Sequence, residues 1–167
     1  MDLPFEEGTF EAYIGHLVWH IAPDSGKAIE EAFRVTASGG RVGAVIPGPK
    51  DESIMRTLLK EVFIKAGLET PSMVEMMNKD FDPDLYIGKM KEVGFTNVKL
   101  MKYPISFYGN RDDMLNFITI FAAKDFNNLS DEDRQKVEKS FDEIYQERFS
   151  ELRMLDMSVI GMIATKP

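Results

Sequence analysis

The alternation of strand-like and helix-like segments in the first 50 residues is the feature that most restricts the fold of this chain. A short apolar run, GTFEAYIGHLVW, is typical of a strand covered on both faces, with Phe10, Tyr13 and Ile14 as its buried side chains. The next segment, PDSGKAIEEAFRVTASGG, predicts a helix, and RVGAVIPG predicts a second strand ended by Gly48 and Pro49. Strands separated by helices predict a sheet with parallel pairs and helices on its faces.

The ends of the first helix are marked by residues that favour helix termini. Asp24 or Ser25 is expected to cap its N-terminus, and Gly39-Gly40 is expected to end it. Its buried face is expected to hold Ala28, Ile29, Ala32, Phe33 and Val35. The glycines of GGRVG could be mistaken for a phosphate loop, but such a loop runs from a strand into a helix. Because these glycines are predicted to run from a helix into a strand, we expect a structural cap there.

The remaining segments continue the same α/β pattern. A second helix is expected from Asp51 to Gly67, and a third from Asp82, with Pro83 as its first residue and Gly94 as its stop. The methionine-rich stretch SMVEMMNK between them either fills a core or lines an adaptable apolar pocket. A strand in FTNVKLMKYPISFY, two helices in RDDMLNFITIFAAKDF and SDEDRQKVEKSFDEIYQERF, and a strand in MLDMSVIGMIATKP complete the chain.

The charge balance narrows the class of partner. The 167 residues carry a net charge of -8, with 7 Lys and Arg against 11 Asp and Glu in residues 1–70 and 13 against 17 in residues 71–167. Nucleic acid is therefore not an expected partner, because phosphate binding needs a clustered basic face. The same balance argues against binding to an anionic membrane surface.

The residue types that are missing restrict the chemistry and the compartment. The chain has no cysteine, which excludes disulfides, thiol nucleophiles and thiolate metal sites. No apolar run reaches the about 18–20 residues of a membrane span. Acidic residues stand where a signal peptide would carry positive charge. We expect a cytoplasmic protein, with an organelle as the alternative.

The two histidines lie where ligands bind in open α/β sheets, beyond the carboxyl end of a strand. His16 and His20 lack a third ligand at a recognisable spacing, so we expect no metal site. His20 either packs or caps locally or lines a ligand crevice, and Trp19 is either buried under a helix or in contact with a ligand. The acidic pairs fall in turns and at helix starts, which predicts solvated caps rather than acid–base catalysis. With no Ser-His-Asp arrangement visible, no catalytic residue is assigned.

The stretch LPFEEGTFEAYIGHLVWHIAPDSGKAIEEAFRVTASGGRVGAVIPG resembles the middle of the class I S-adenosylmethionine-dependent methyltransferases, in their small-molecule branch. The matching residues, in order, are Leu3, Pro4, Phe5, Phe10, His20, Pro23, Asp24, Ala28, Arg34, Val35, Gly39, Gly40 and Arg41. Downstream, MKEVGFTNVKLMKYPISFY is similar to the helix and sixth strand of the family, and SVIGMIATKP to its seventh strand. The resemblance implies a partial Rossmann-like α/β sheet of the family's strands four to seven, within a single domain over residues 1–167.

The resemblance also implies a cofactor and a site. S-adenosylmethionine is the implied cofactor, and a small molecule is the implied methyl acceptor. Gly15, His16 and Leu17 stand at the position that contacts the cofactor, although His16 departs from the Ser-Asn or similar residues of the family. Trp19 and His20 are expected to face the substrate. The helices over residues 111–149 are expected to form a helical cover insertion above the acceptor pocket.

The part of the family that precedes the L-P-F turn has no counterpart in this sequence. In the family that part carries the first strand, the glycine-rich cofactor loop, the acidic residue for the ribose and the adenine contacts. We therefore expect an exposed parallel sheet edge, which is a template for further pairing. A second copy, a protein partner or an upstream segment would cover it. Two functions follow: a methyltransferase that is incomplete or inactive as this isolated chain, or a non-catalytic pseudo-methyltransferase that serves as a structural or interaction subunit.

Overall fold

The structure is a computed structural model that describes residues 2–49, 53–77, 79, 81–121, 123–148 and 153–167. The strands are β1 (Phe10–His16), β2 (Thr36–Pro47), β3 (Thr96–Gly109) and β4 (Arg153–Thr165). The helices are α1 (Ser25–Val35), α2 (Ile54–Lys65), α3 (Ser72–Met77), α4 (Pro83–Glu92), α5 (Arg111–Phe121), α6 (Ala123–Phe126) and α7 (Asp131–Arg148), with a 3-10 turn at Trp19–Ile21. This order confirms the predicted alternation. The short helix α3 in the methionine-rich stretch and the separate helix α6 were not predicted.

The four strands form one mixed sheet in the order β1-β2-β4-β3. β1 pairs with β2 in parallel, with Ile14 opposite Gly43, and β2 pairs with β4 antiparallel, with Gly43 opposite Ile163. The predicted parallel pair is therefore confirmed for β1 and β2, which are joined through α1. The last strand in the sequence lies between β2 and β3, and β1 occupies an edge.

By its contacts the chain divides into two compact units. The first comprises Met1–Pro49, Phe81–Tyr103 and Ser158–Pro167, and the second comprises Lys50–Asp80 and Pro104–Met157. In the first unit, alternate side chains of β2 and β4 face a core that α1 and α4 complete, because side chains two apart in a strand share one face. Its fully buried members include Ile29, Ala32, Val42, Ile46, Met90, Met162 and Ala164.

The termini of α1 confirm one prediction and correct another. Asp24 caps the helix, and its Oδ1 accepts a hydrogen bond from the Lys27 amide at 2.9 Å. The helix ends at Val35, however, and the predicted stop at Gly39-Gly40 is wrong because both glycines lie inside β2.

The two glycines belong to an irregularity in the pairing of β1 and β2. Phe10 lies opposite Thr36, whereas Ala12 lies opposite Arg41, so β2 carries extra residues at this point. Gly39 has a φ of 78°, and a Cβ on Gly40 would lie 2.9 Å from the Glu11 carbonyl oxygen. Glycine is needed here for a bulge and a close backbone approach. The expectation that GGRVG is not a strand-to-helix phosphate loop holds, for this different reason.

Four further predictions on helix and strand positions have mixed outcomes. Ile14 was predicted to be buried on a strand covered on both faces, but its side chain is 79% exposed, because no described residue covers that face of β1 at this position. Asp82 caps α4 through the Asp84 amide at 2.9 Å, and Gly94 follows the helix with a φ of 109°, as predicted. The predicted cap Asp51 lies outside the described residues, and α2 begins at Ile54.

The second unit is mostly helical, with the end of β3 and the start of β4, and is held by its own core and ion pairs. Val137, Phe141 and Ile144 are buried along α7, which packs against α2. Arg111 Nε contacts Asp142 Oδ1 at 2.6 Å, and Arg148 Nη2 contacts Glu61 Oε2 at 2.7 Å.

Candidate functional site

The carboxyl end of β1 has an unusual backbone. Leu17, the residue after the strand, has a φ of 53°, a left-handed conformation that costs a non-glycine residue about 1–2 kcal/mol. Its amide donates to the Val45 carbonyl oxygen of β2 at 2.9 Å, which holds this conformation at the end of the parallel pair. Ligands in open α/β folds bind outside the carboxyl ends of the strands. The strained residue therefore lies where a ligand is expected.

Gly15 and Trp19 are matched in shape at the same strand end. A Cβ on Gly15 would lie 3.1 Å from Trp19 Nε1 and 3.3 Å from the Tyr13 ring. Trp19 is 1% exposed, and its ring lies 6.3 Å from that of Tyr13 at an interplanar angle of 25°. Its indole N–H is buried and has no hydrogen-bond acceptor among the described residues. A side chain at position 15 would therefore press on the indole, which would have to move by a few tenths of an ångström.

The two histidines of the predicted site have different surroundings. His16 is the last residue of β1 and is exposed. His20 is half-buried in the 3-10 turn, with its ring 5.1 Å from the Phe81 ring in an edge-on arrangement. Within the described part of the chain, no three His, Cys, Asp or Glu side chains form a group that could hold a metal ion.

The structure thus places all five predicted site residues within one short segment of the first unit. Gly15, His16 and Leu17 form the end of β1, and Trp19 and His20 follow in the 3-10 turn. Trp19 is part of the buried core and can support this segment only from the interior, whereas His16 is exposed to solvent. Their assignment to a cofactor and a substrate stays a prediction.

A partly buried ion pair, Glu31 with Arg34, holds the Leu3–Phe5 turn that leads into β1. Glu31 Oε1 accepts from Arg34 Nε at 2.7 Å, and Glu31 Oε2 accepts from the Leu3 amide at 2.7 Å and from Arg34 Nη2 at 2.8 Å. Arg34 also donates to the carbonyl oxygens of Phe5 at 2.8 Å and Leu3 at 3.1 Å. Hydrogen bonds from Arg34, and then from the Leu3 amide, lower the pKa of Glu31 from 4.5 to about 2.

This network was missed from the sequence, although a signal for it was present. Glu31 is 8% exposed and lies three residues after the buried Ala28, on the same face of α1. A carboxylate on a buried face needs a charged partner, and Arg34 is three residues further along the helix. Arg34 had been noted only as a matching residue.

The predicted cover over residues 111–149 falls in the second unit. It corresponds to α5, α6 and α7, with residues 122 and 149 outside the described ranges. The acidic groups Asp112/Asp113 and Asp131/Glu132/Asp133 lie in the first turns of α5 and α7, as predicted for caps. The role of these helices as a cover stays a prediction.

The described residues do not make a complete S-adenosylmethionine site. They supply the end of β1, with its left-handed Leu17 and exposed His16. Within the described ranges, however, no loop with two or more glycines joins the end of a strand to the start of a helix, the arrangement that binds a cofactor's anionic part. The cofactor contacts that the resemblance assigns to the end of β1 stay a prediction.

Comparisons with known proteins agree with the fold. Residues 1–44 match the family model described as a methyltransferase domain. No curated protein sequence matches the chain. No helix within the described ranges has both the length and the apolar character needed to cross a membrane.

Solved structures of methyltransferases share this fold at low sequence identity. A candidate methyltransferase of Bacillus halodurans has a TM-score of 0.58 and 17% identity, with 99% of this chain and 68% of that chain covered. A candidate methyltransferase of an antibiotic biosynthesis pathway in Anabaena variabilis has a TM-score of 0.61 and 11% identity, with 96% and 69% covered. An S-adenosylmethionine-dependent methyltransferase of Thermotoga maritima has a TM-score of 0.50 and 15% identity, with 99% and 60% covered.

The resemblance drawn from the sequence is confirmed for the fold. The chain has the mixed, Rossmann-like sheet of the class I methyltransferases, and S-adenosylmethionine is confirmed as the cofactor expected for that family. The chain spans 60–69% of the length of these three structures.

Proposed function

We propose that this chain is a methyltransferase-like domain that acts on a small molecule. It has the fold of the class I S-adenosylmethionine-dependent methyltransferases. The observation that carries this proposal is the left-handed Leu17 at the end of the parallel pair β1 and β2. Backbone strain in a bulky residue is retained where the surroundings hold it, and it is concentrated at functional sites. The isolated 167-residue chain is proposed to be inactive in methyl transfer, because its described residues include no glycine-rich loop between the end of a strand and the start of a helix.

The proposed roles follow from the positions of the five residues. Gly15, His16 and Leu17 face the cofactor at the end of β1, and His20 and Trp19 shape the substrate side. When bound, S-adenosylmethionine supplies an electrophilic methyl group. The contribution of the chain is mainly to hold donor and acceptor in line. Helices over 111–149 are proposed to cover the acceptor, and the absence of cysteine supports a cytoplasmic setting.

A second candidate function is a non-catalytic subunit. It is favoured by the open edge of β1, where Ile14 is 79% exposed. An open edge with an exposed apolar side chain is a template for another strand, whether or not a methyl group is transferred. Function follows from the site rather than the fold, and only one side of this site is present in the described residues.

Calorimetric titration with S-adenosylmethionine and its demethylated product tests the first candidate against the second. A dissociation constant tighter than about 100 μM, which is about -5.5 kcal/mol, supports the methyltransferase-like site. The emission of Trp19, the single tryptophan, gives an independent signal at the strand end. Gly43→Ala is the control variant for these binding measurements, because a Cβ at position 43 would have no neighbouring atom within 4 Å.

The variant His16→Ala tests whether the cofactor binds at the end of β1. It removes the exposed side chain at the strand end and is expected to weaken cofactor binding at least threefold, while Gly43→Ala leaves binding unchanged. Flat titrations with a well-folded chain, as judged by circular dichroism, would replace the enzyme proposal with the subunit proposal.

A further inference from the structure

The turn that follows β1, Leu17–Ile21, has a conformation that its first residue does not favour. Leu17 has a φ of 53°, in the left-handed region that a leucine rarely adopts. The bond from the Leu17 amide to the Val45 carbonyl oxygen of β2, at 2.9 Å, holds it there. Within the turn, the amides of Ile21 and Ala22 donate to the Val18 carbonyl oxygen at 3.2 and 3.1 Å, the long end of the usual range. The turn therefore carries backbone strain that the bond to β2 offsets.

The indole N–H of Trp19 adds a second cost in the same turn. The side chain is 1% exposed, and its Nε1 has no hydrogen-bond acceptor among the described residues. A buried donor that leaves water without gaining an acceptor destabilises the state in which it is buried. Trp19 belongs to the core that α1 and α4 complete, so chain atoms already enclose this N–H. The cost is therefore the same whatever lies beside the outer edge of β1.

A movement of the turn relieves both costs at once. When Leu17 adopts an extended or right-handed conformation, the residues after it leave their present positions, and the indole N–H can reach an acceptor. Burial of the Trp19 ring, which stacks on the Tyr13 ring with centroids 6.3 Å apart, favours the present arrangement. The burial of one aromatic ring is thus balanced against backbone strain and an unpaired donor. Such a balance is typical of a segment that opens locally.

We propose that the turn Leu17–Ile21 is a two-state element that opens without unfolding the rest of the first unit, and that Trp19 Nε1 in the open state donates to a hydrogen-bond acceptor of a ligand. The turn lies beyond the carboxyl end of β1, where open α/β sheets bind ligands, so a carbonyl, carboxylate or ring-nitrogen atom of the ligand supplies the acceptor. A ligand that pairs with this N–H in one state only shifts the turn toward that state. The opening is independent of the proposed function, and only the ligand rests on it.

Hydrogen exchange of the Trp19 indole N–H tests the opening in the ligand-free chain. Trp19 is the single tryptophan, so its indole proton gives one resonance in nuclear magnetic resonance spectra. We expect exchange about tenfold or more faster than global unfolding allows, at a rate that stays constant in low urea, because a local opening exposes little surface. Exchange that rises with urea in parallel with global unfolding would overturn the inference, and a buried water bound to Nε1 would give that result.

Two variants at position 17 isolate the backbone strain. Leu17→Asn and Leu17→Ala both remove the half-buried leucine side chain, but asparagine adopts the left-handed conformation more readily than alanine. The indole N–H should therefore exchange about threefold or more slowly in Leu17→Asn than in Leu17→Ala. Equal rates in the two variants would remove the role of strain and overturn the inference.

Gly40→Ala is the control for global stability. It is expected to destabilise the pairing at the start of β1, beside Glu11, and not at the end where Leu17 lies. The indole exchange should be unchanged in this variant, and faster exchange would contradict a local opening. If a variant at position 17 fails to fold by circular dichroism, the urea dependence of the wild-type exchange decides.

The demethylated product of S-adenosylmethionine is the probe for the donor role. Its binding should move the Trp19 indole proton to lower field, as expected when a donor gains an acceptor. Trp19→Phe lacks the N–H and should bind the probe about threefold or more weakly, whereas Tyr13→Phe keeps the stacked ring and should bind it unchanged.

The outcomes separate this inference from the proposed function. Calorimetric binding of the probe with no change of the indole resonance removes the donor role and leaves the proposed function intact. A flat titration, together with local exchange that depends on residue 17, keeps the two-state turn and removes both the donor role and the methyltransferase-like site.

Discussion

Replacing Glu31 by glutamine should destabilise the chain by about 2 kcal/mol at pH 7. Glutamine offers one acceptor oxygen where the carboxylate offers two, so its amide group would face either Arg34 or the Leu3 amide, both of which are donors. The lowering of the Glu31 pKa from 4.5 to about 2 corresponds to an upper limit of about 3 kcal/mol. Water reaches the partly exposed Arg34 and reduces this value.

The pH dependence of this loss identifies the ion pair as its source. Because the pKa of Glu31 is lower in the folded chain than in the unfolded one, its contribution is complete above pH 4.5 and is lost as the pH falls toward 2. Urea unfolding followed by Trp19 emission should therefore show a difference between wild type and Glu31→Gln that shrinks between pH 5 and about pH 3. Glu30→Gln is the control, since Glu30 forms a surface pair with Lys89 and should cost less than about 1 kcal/mol. A difference that is the same at both pH values, or one no larger than that of the control, would refute the reasoning.

Three further predictions concern backbone positions in the first unit. Gly40→Ala should cost at least 1 kcal/mol in urea unfolding, because its Cβ would lie within 2.9 Å of backbone oxygens, whereas Gly43→Ala should cost nothing. Leu17→Gly should cost less than about 1 kcal/mol in the same assay, although it removes a half-buried side chain, since glycine adopts a φ of 53° without strain; a larger loss would contradict this. Gly15→Ala should displace the indole of Trp19 and shift its emission toward longer wavelength, and an unchanged spectrum would show that the contact is not limiting.

Much of the fold could be predicted from local sequence signals. Three of these signals depend on residues close together in the chain: the Asp24 cap, the Asp82-Pro83 start of α4 and the stop at Gly94. All three are present in the structure. Long-range contacts explain the failures. Two adjacent glycines, Gly39-Gly40, are typical of a helix end. In the structure they lie instead in a bulge of β2, where the Glu11 carbonyl oxygen of β1 approaches the backbone closely.

The candidate site shows the same division. A strand followed by a helix predicts that His16, Trp19 and His20 lie at a ligand-binding edge, whereas Gly15 and Leu17 were assigned through the resemblance. The sequence did not predict the left-handed Leu17, whose conformation depends on a hydrogen bond to Val45 in another strand. It also missed Glu31, because the role of a carboxylate on a buried helix face depends on what lies opposite, here the Leu3 amide.

The sequence by itself thus determined the order of the elements, the caps of α1 and α4, and the acidic charge balance. Each of these depends on composition or on neighbours within a few residues. Only the tertiary structure decided that Ile14 is exposed and that Trp19 is buried against Gly15. The physical reason is that periodicity tells which side chains share a face of a strand, whereas the burial of that face depends on which other strands and helices pack against it.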